Sequence, residues 1–284
     1  MWFSLVLLLT AGKFLIATAA VVEQNFGKLN ITESSSDGFY CETVYFPTPF
    51  QNGGTIRVFP SLSHEDHPGN ENEASVAMVT SIDQNSFSLC LMESARPTGE
   101  MTLNWFAFSD RILPQGVLTG SVSYRVFTSG SSCNDVSFAS AFSTPPKILL
   151  SARHPGGADR KDMMSLWAED VTETQFRVCL REMVSFSGIH ENLHLDWVAL
   201  ENTFSLNMTD LDSVLFPNLV QPSLQDNYAY CKVQNFTRRF HEPPAVLVTA
   251  HRTRSLSLSA LRDQNIVTWV QNVSITAFKV CIKD

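Results

Sequence analysis

Three copies of one cysteine-bounded pattern run along the chain of 284 residues. Each copy opens on a cysteine, has a phenylalanine nine residues later, and ends in Phe-x-x-Cys. The opening cysteines are Cys41, Cys133 and Cys231, and they lie 92 and 98 residues apart. A period near ninety residues is too long for a solenoid unit and fits a small autonomous domain. The sequence therefore predicts a tandem array of three related domains.

The copies differ in how much of the pattern they contain. The second copy has Pro145-Pro146 before an apolar run and closes on the segment 193–199, Leu-His-Leu-Asp-Trp-Val-Ala. Its apolar residues recur at period two, which is typical of a strand with one buried face. The first copy has a similar closing segment at 101–107, but Gly53-Gly54 replaces the two prolines. The third copy ends after Cys281 without a closing segment. Either the chain is a fragment, or the third domain borrows or lacks a strand.

Changes in composition between the copies set the domain boundaries. We predict a signal peptide at 1–20, a polar lead-in at 21–38, and linkers at 114–127 and 205–227. The three repeats then cover 39–113, 128–204 and 228–284, of which the last is incomplete. Charged residues make up only 17% of the chain, and long helical periodicity is absent. The predicted fold class is all-β, with each repeat a small antiparallel β-sandwich of about six strands.

The six cysteines occupy the same two places in every repeat, which indicates one disulfide per domain. The predicted pairs are Cys41–Cys90, Cys133–Cys179 and Cys231–Cys281, with free buried thiols as the alternative. Each bridge would close a loop of about fifty residues and contribute about 2–4 kcal/mol. A C-x-x-C motif is missing, so the cysteines do not indicate a metal site.

The N-terminus indicates secretion. The segment 2–22 is almost wholly apolar and contains Ala17-Thr-Ala-Ala20, an A-x-A-like cleavage pattern, although Lys13 interrupts it and no basic residue precedes it. The competing interpretation is an uncleaved anchor, in which Lys13 would lie mid-bilayer at a cost of about 2.5–3.5 kcal/mol. No later segment is apolar over the length needed to span a membrane. Four N-glycosylation sequons are present, at Asn30, Asn207, Asn235 and Asn272.

Charge and motifs argue against several classes of function. A net charge of −8 and a pI near 5.4 do not suit nucleic acids or anionic membranes as partners. The string His190-Glu-Asn-Leu-His194 matches the H-E-x-x-H of metalloproteases, but it runs into a predicted strand, where four residues span about 13 Å. The string His64-Glu-Asp-His67 is interpreted as a solvated loop. Nucleophile-elbow, P-loop and Rossmann patterns are absent. We predict no enzyme, no metal and no cofactor.

Two tryptophans and one arginine are the candidate glycan-binding residues. Trp167 and Trp269 lie four residues before Val171 and Val273, where the first copy has Met78. Each ring either packs in the core or is exposed for stacking on the apolar face of a sugar. Arg181 lies near the end of a predicted turn, where it either donates hydrogen bonds to sugar hydroxyls or is simply solvated.

The combined pattern resembles the H-type lectin domain of snail agglutinins and discoidins. The residues that carry the resemblance are the Phe-rich segment up to Phe142, Pro145-Pro146, Val171, the segment Phe176-Arg-Val-Cys179, and the closing apolar-Trp-x-Ala segment. The resemblance implies a six-stranded antiparallel β-sandwich, an intra-domain disulfide, trimeric assembly, and binding of N-acetylgalactosamine or galactose. The family's sugar-binding residues do not carry over, because Trp167, Trp269 and Met78 stand where the family has its arginine.

The expected function is that of a secreted, multidomain carbohydrate-binding protein that acts on cell-surface or secreted glycans in recognition or adhesion. The alternative is an extracellular matrix or adhesion scaffold that binds proteins through the same sandwiches and binds no sugar. The copy number raises one further hypothesis, that the three repeats fold into a single-chain pseudo-trimer. The other assembly considered is a homo-oligomer.

Overall fold

The computed structural model describes the chain in twelve stretches. They are residues 2–9, 23–31, 38–51, 53–64, 74–93, 101–127, 130–156, 163–183, 190–201, 210–216, 229–252 and 266–283. Within these stretches every regular element is a β-strand, and none of them contains a helix that is long and apolar enough to cross a membrane. The all-β fold class is confirmed.

The strands follow the three repeats in order. Strand β1 (Trp2–Leu9) precedes the first repeat. The first repeat contains β2 (Gln24–Ile31), β3 (Phe39–Tyr45), β4 (Ile56–His64), β5 (Ser75–Ile82), β6 (Ser86–Glu93) and β7 (Met101–Ser109). The second contains β8 (Val117–Phe127), β9 (Ser131–Ser137), β10 (Lys147–Arg153), β11 (Met164–Glu169), β12 (Gln175–Glu182) and β13 (His190–Leu200). The third contains β14 (Asp210–Phe216), β15 (Tyr230–Asn235), β16 (Ala245–Arg252), β17 (Val267–Gln271) and β18 (Ala277–Lys283).

Three of these strands lie where the sequence predicted connecting segments. Strand β2 falls in the polar lead-in, β8 in the first linker and β14 in the second. Strands β2 and β8 pair with the closing strands β7 and β13 of the first two repeats. Strand β1 falls in the predicted signal peptide and pairs with β14 and β16.

Each of the three six-stranded sheets combines strands from two repeats. Their orders are β3-β6-β5-β10-β13-β8, β9-β12-β11-β16-β1-β14 and β15-β18-β17-β4-β7-β2. At the middle of each sheet two strands from different repeats pair in parallel, and the other pairs are antiparallel. The first repeat is therefore joined to the second, the second to the third, and the third back to the first. The chain forms a closed ring of three related units.

The recurring phenylalanines form the same aromatic cluster in each repeat. In the first, the ring of Phe46 lies 4.8 Å from that of Phe50 and 5.5 Å from that of Phe87. The second and third repeats have the same edge-to-face pair, and their other pair of phenylalanines is stacked where that of the first repeat is tilted. Trp105 and Trp197 of the closing strands add a fourth ring in the first two repeats. Aromatic pairs at these distances stabilise a core beyond the area they bury, which explains the regular spacing of phenylalanine.

The disulfides join the second and fifth strands of each repeat. Cys41–Cys90, Cys133–Cys179 and Cys231–Cys281 are all bonded, and the described residues include no free cysteine. The three predicted pairs are thus confirmed. In each case the two cysteines are directly opposite each other on adjacent antiparallel strands.

The strands β4, β10 and β16 contact one another at the centre of the ring. Phe59, Leu149 and Leu247 occupy equivalent places on them and belong to one buried apolar cluster. Two residues further along each strand, the buried hydroxyls of Ser61, Ser151 and Thr249 line a cavity of about 70 Å³. Along these three strands, the buried side chains at the centre of the molecule therefore change from apolar groups to hydroxyl groups.

Candidate binding pocket and the junctions between repeats

A concave site lies at one end of the first repeat. It has a volume of about 540 Å³, within the range of about 300–1,000 Å³ typical of small-molecule pockets. Its lining comes from the start of β2, the loop after β3 and the end of β7. The lining residues are Glu23, Gln24, Asn25, Thr48, Pro49, Phe50, Gln51, Ser109, Arg111 and Ile112. We call this site the repeat-1 pocket.

Hydrogen bonds between the side chain of Asn25 and the backbone of Thr48 hold one wall of the repeat-1 pocket. The Nδ2 atom of Asn25 donates to the carbonyl oxygen of Thr48 at 2.9 Å, and the backbone N–H of Thr48 donates to Oδ1 at 3.2 Å. The N–H of Ser109 donates to the carbonyl oxygen of Glu23 at 3.0 Å, which ties β7 to the start of β2. Because three segments are fixed to one another, the concave shape is preformed.

Two glycines lie against Ser109 and Arg111, which line the repeat-1 pocket. Gly53 has a φ of 121°, and its position lies against the Arg111 side chain. A Cβ atom on Gly54 would lie 2.2 Å from Oγ of Ser109 and 2.8 Å from the backbone nitrogen of Arg111. Only glycine allows this approach, so the Gly53-Gly54 pair that replaces Pro-Pro has a structural reason in the first repeat.

The repeat-1 pocket offers both donors and acceptors to a ligand. Arg111 and Gln51 are exposed at its edge. The Oε2 atom of Glu23 is buried and has no hydrogen-bond partner among the described residues. A guanidinium, an amide and a carboxylate together provide hydrogen bonds of both polarities, which suits a polyhydroxylated ligand.

The second repeat is different at the same end. Its closing strand places Glu201 where the first repeat has Ser109. The Oε1 atom of Glu201 accepts a hydrogen bond from Oγ of Ser143 at 2.5 Å, and its backbone N–H donates to the carbonyl oxygen of Gly116. A larger side chain with its own partners occupies this place, so the features that open the repeat-1 pocket are not repeated.

The sugar-stacking interpretation of the two tryptophans does not fit their burial. Trp167 and Trp269 are both 0% exposed, so neither ring presents a face to a ligand. Both pack in the core, which is the other interpretation of the sequence. Arg181 is half-buried on β12, opposite Ser165 and Ser131. The structure does not bring Arg181 or either tryptophan into the repeat-1 pocket.

The two tryptophans instead mark the junctions where repeats meet. At the 2/3 junction, β11 lies beside β16, and Trp167 pairs with Ala250. There Nε1 of Trp167 donates to Oε1 of Glu169 at 2.9 Å, and Nε of Arg252 donates to the same oxygen at 2.6 Å. The guanidinium of Arg252 also lies 5.4 Å from the centre of the Trp167 ring. Glu169 and Arg252 are 0% and 3% exposed, so this ion pair is buried.

At the 3/1 junction, β17 lies beside β4, and Gln271 pairs with His64. These two residues stand in the places of Glu169 and Arg252. Nε2 of His64 lies 2.8 Å from Oγ of Ser75, and its Nδ1 lies 3.7 Å from Oε1 of Glu93. Burial lowers the pKa of His64 to about 4, so the ring is neutral at physiological pH. This junction carries no buried ion pair between its two paired residues.

The histidines of the H-E-x-x-H string lie on one strand. Both His190 and His194 belong to β13, as predicted. Nε2 of His190 lies 3.3 Å from Oε1 of Glu182, and Nδ1 of His194 lies 3.0 Å from Oγ of Ser123. The other string begins at His64, the last residue of β4, and its residues 65–67 lie outside the described residues. The group formed by Cys133, Glu169 and Cys179 has metal-ligating atoms close together, but its two sulfurs are joined in a disulfide.

The sequons are exposed where the structure describes them. Asn30 lies on β2, Asn235 ends β15, and Asn272 follows β17 with a φ of 51°. Asn207 lies outside the described residues. Glycans on the three described asparagines would project into solvent.

Comparisons with known proteins do not assign this chain to a family. It matches no family model, no curated protein and no solved structure.

Proposed function

We propose that the protein is a secreted, non-catalytic carbohydrate-binding protein that holds a glycan in the repeat-1 pocket. The observation that carries this proposal is the convergence of Glu23, Gln51 and Arg111 on one preformed pocket of about 540 Å³. Sugar hydroxyls both donate and accept hydrogen bonds, and planar guanidinium, amide and carboxylate groups can each bind two neighbouring hydroxyls. Three disulfides support an extracellular setting.

We also propose that each repeat is a sandwich of the H-type lectin kind, made of two three-stranded halves. In the first repeat these halves are β3-β6-β5 and β2-β7-β4, and residues of both contribute to one buried cluster. The proposed ligands are glycans with terminal galactose or N-acetylgalactosamine. This choice rests on the resemblance of the repeats, whereas the repeat-1 pocket itself supports only a polyhydroxylated ligand.

The test is a glycan array probed with the glycosylated, secreted protein and with a Gln51→Ala/Arg111→Ala variant. Loss of the two side chains should weaken binding by about tenfold or more, because a hydrogen bond that involves a charged group contributes about 1.5–3 kcal/mol. Arg238→Ala is the matched control, because Arg238 is an exposed arginine in the corresponding loop of the third repeat. It should bind as the parent protein does.

The burial of Trp167 and Trp269 favours a second candidate, the adhesion scaffold that binds proteins and no sugar. Trp105 and Trp197 are buried as well, so none of the four tryptophans whose burial the structure describes offers a platform for a sugar. A blank array from a folded protein would therefore favour the scaffold. Binding that survives in the double variant would exclude the repeat-1 pocket as the glycan site.

A further inference from the structure

The carboxylate of Glu23 is not satisfied by the described residues around the repeat-1 pocket. Glu23 lines this pocket and is half-buried, and its buried Oε2 atom accepts a hydrogen bond from none of the described residues. Its backbone is fixed, because its carbonyl oxygen accepts from the N–H of Ser109 at 3.0 Å. Burial removes the water that would otherwise solvate the charge, so a carboxylate in this state favours a ligand that compensates it.

The second repeat has an acid at the same end, but that acid has a donor within the chain. Gly116 stands in the place of Glu23, and its carbonyl oxygen accepts from the N–H of Glu201 at 2.8 Å. A Cβ atom on Gly116 would lie 2.9 Å from Oε2 of Glu201, so here the acid is on the closing strand instead. Oγ of Ser143 donates to Oε1 of Glu201 at 2.5 Å. The chain thus satisfies the acid of the second repeat, whereas in the first repeat the described residues leave that role to a ligand.

An ammonium group fits Glu23 better than a neutral donor does. A hydroxyl provides a hydrogen bond but no charge, whereas an ammonium group also compensates the negative charge that both carboxylate oxygens share. Arg111, the basic residue of the pocket lining, is exposed at the edge, where solvent screens its charge. The chain as a whole has a net charge of −8, which attracts cationic ligands.

We propose that the repeat-1 pocket selects a sugar with a free amino group, a hexosamine that is not N-acetylated, and that Glu23 determines this specificity. The ammonium group of the sugar pairs with the Glu23 carboxylate, while Gln51 and Arg111 bind its hydroxyls. An N-acetyl group removes the charge and adds bulk at the same atom, so it weakens binding. This inference rests on the proposed glycan binding in the repeat-1 pocket and names the class of sugar that the pocket takes.

The experiment compares methyl glycosides that differ in a single substituent. At C2 they carry an ammonium group, an acetamide or a hydroxyl, and the set is made in both the galacto and the gluco configuration. Each is titrated into the secreted protein at a mildly acidic pH, and binding is measured by ligand-observed NMR. Because a charge-assisted hydrogen bond is roughly twice as strong as a neutral one, the amino sugar should bind about tenfold more tightly than the other two.

Two variants assign the preference to one residue. Glu23→Gln keeps the shape of the side chain and removes its charge, so this variant should bind the amino sugar no more tightly than the hydroxyl sugar. Glu201→Gln makes the same change at the acid of the second repeat, which does not line the repeat-1 pocket, and this variant should keep the preference. Circular dichroism checks that both variants are folded.

Two results would overturn this inference and leave the proposed function in place. One is equal binding of the amino and hydroxyl sugars, and the other is a preference for the amino sugar that persists in Glu23→Gln. If no glycoside of either configuration binds, the inference falls as well, and the glycan array decides the proposed function separately. A glycan bound through Gln51 and Arg111 would keep that function, whereas a blank array would remove it.

Discussion

The 2/3 and 3/1 junctions have the same backbone arrangement but different chemistry. In both, a fully buried tryptophan lies two residues before a polar residue. The residue that follows the polar one has a positive φ, 49° at Asp170 and 51° at Asn272. The N–H of each of these residues donates to the facing strand, at 3.2 Å and 3.1 Å. At the 2/3 junction the polar pair is Glu169 with Arg252, whereas at the 3/1 junction it is Gln271 with His64.

The comparison separates the backbone features that both junctions share from the side-chain contacts that only one of them has. The positive φ and the backbone hydrogen bond recur at both junctions with different side chains, so they do not depend on the ion pair. The 2/3 junction has an ion pair because the second repeat supplies the acid, Glu169, and the third repeat supplies the base, Arg252. A buried ion pair is tolerated when both charges are present, and the removal of one charge leaves the other unpaired in a medium of low polarity. The 2/3 junction should therefore be more sensitive to single substitutions.

The largest effect is expected for Arg252→Ala. It leaves Glu169 buried without its cationic partner, so the free energy of unfolding should fall by about 3–5 kcal/mol. Urea denaturation followed by circular dichroism measures this change. Arg239→Ala removes an exposed arginine and should change the free energy by less than about 0.5 kcal/mol. Equal effects of the two substitutions would contradict the importance of the buried pair.

The second prediction concerns pH and the histidines of the two junctions. Burial lowers the pKa of His64 to about 4, and burial followed by the charge of Lys147 lowers that of His251 to about 4. The ordinary pKa of histidine is 6.5. In the unfolded chain these histidines therefore bind protons as the pH falls through 6.5, whereas in the folded protein they bind them only near pH 4. The contribution of each histidine to the free energy of unfolding is fully present above pH 6.5. It is lost as the pH falls from 6.5 to 4, by about 3 kcal/mol for each histidine.

His64→Gln should remove about half of the pH dependence that the two buried histidines supply, because His251 still contributes. The contribution of His194, whose pKa is also lowered by burial, is unchanged in this variant. The measurement is the urea midpoint at several pH values from 7 to 4. His241 is exposed, so His241→Gln should keep the full slope. If the urea midpoint of His64→Gln depends on pH as that of the parent protein does, His64 has the same proton affinity in the folded and the unfolded state.

The third prediction tests whether the 2/3 junction remains stable when its ion pair is replaced by the polar pair of the 3/1 junction. Glu169→Gln/Arg252→His gives the 2/3 junction the polar pair of the 3/1 junction. Because no charge is left unpaired, the double variant should lose only about 2 kcal/mol, less than Arg252→Ala alone. The two single variants complete a double-mutant cycle, measured in the same urea experiment. If the two single losses simply add in the double variant, Glu169 and Arg252 are not coupled.

The sequence predicted what depends on local pattern and missed what depends on the neighbouring repeat. The disulfides and the all-β class follow from cysteine position and from β-branched and aromatic residues, and both are confirmed. The sequence left two interpretations of Trp167 open, core packing and an exposed ring, because the burial of Trp167 depends on the third repeat, whose strand β16 lies beside β11. Strand β8 was missed because its turn-like start at Pro114-Gln-Gly116 resembles a linker. The repeat-1 pocket had one signal in the sequence, the exchange of Pro-Pro for Gly53-Gly54, but its significance depends on the distant Arg111.

The smallest expected effect separates the two buried tryptophans. Trp167→Phe and Trp269→Phe remove the same volume from equivalent places, so their packing losses should be similar. Trp167 also loses its hydrogen bond to Glu169, whereas Nε1 of Trp269 is buried without a partner among the described residues. Removal of an unpaired donor offsets part of the packing loss, so Trp167→Phe should cost about 1 kcal/mol more in the free energy of unfolding. If the Trp269→Phe loss proves equal or larger, then the indole N–H of Trp269 has a partner, such as a buried water. The two junctions would in that case differ in charge but not in the number of hydrogen bonds made by their tryptophans.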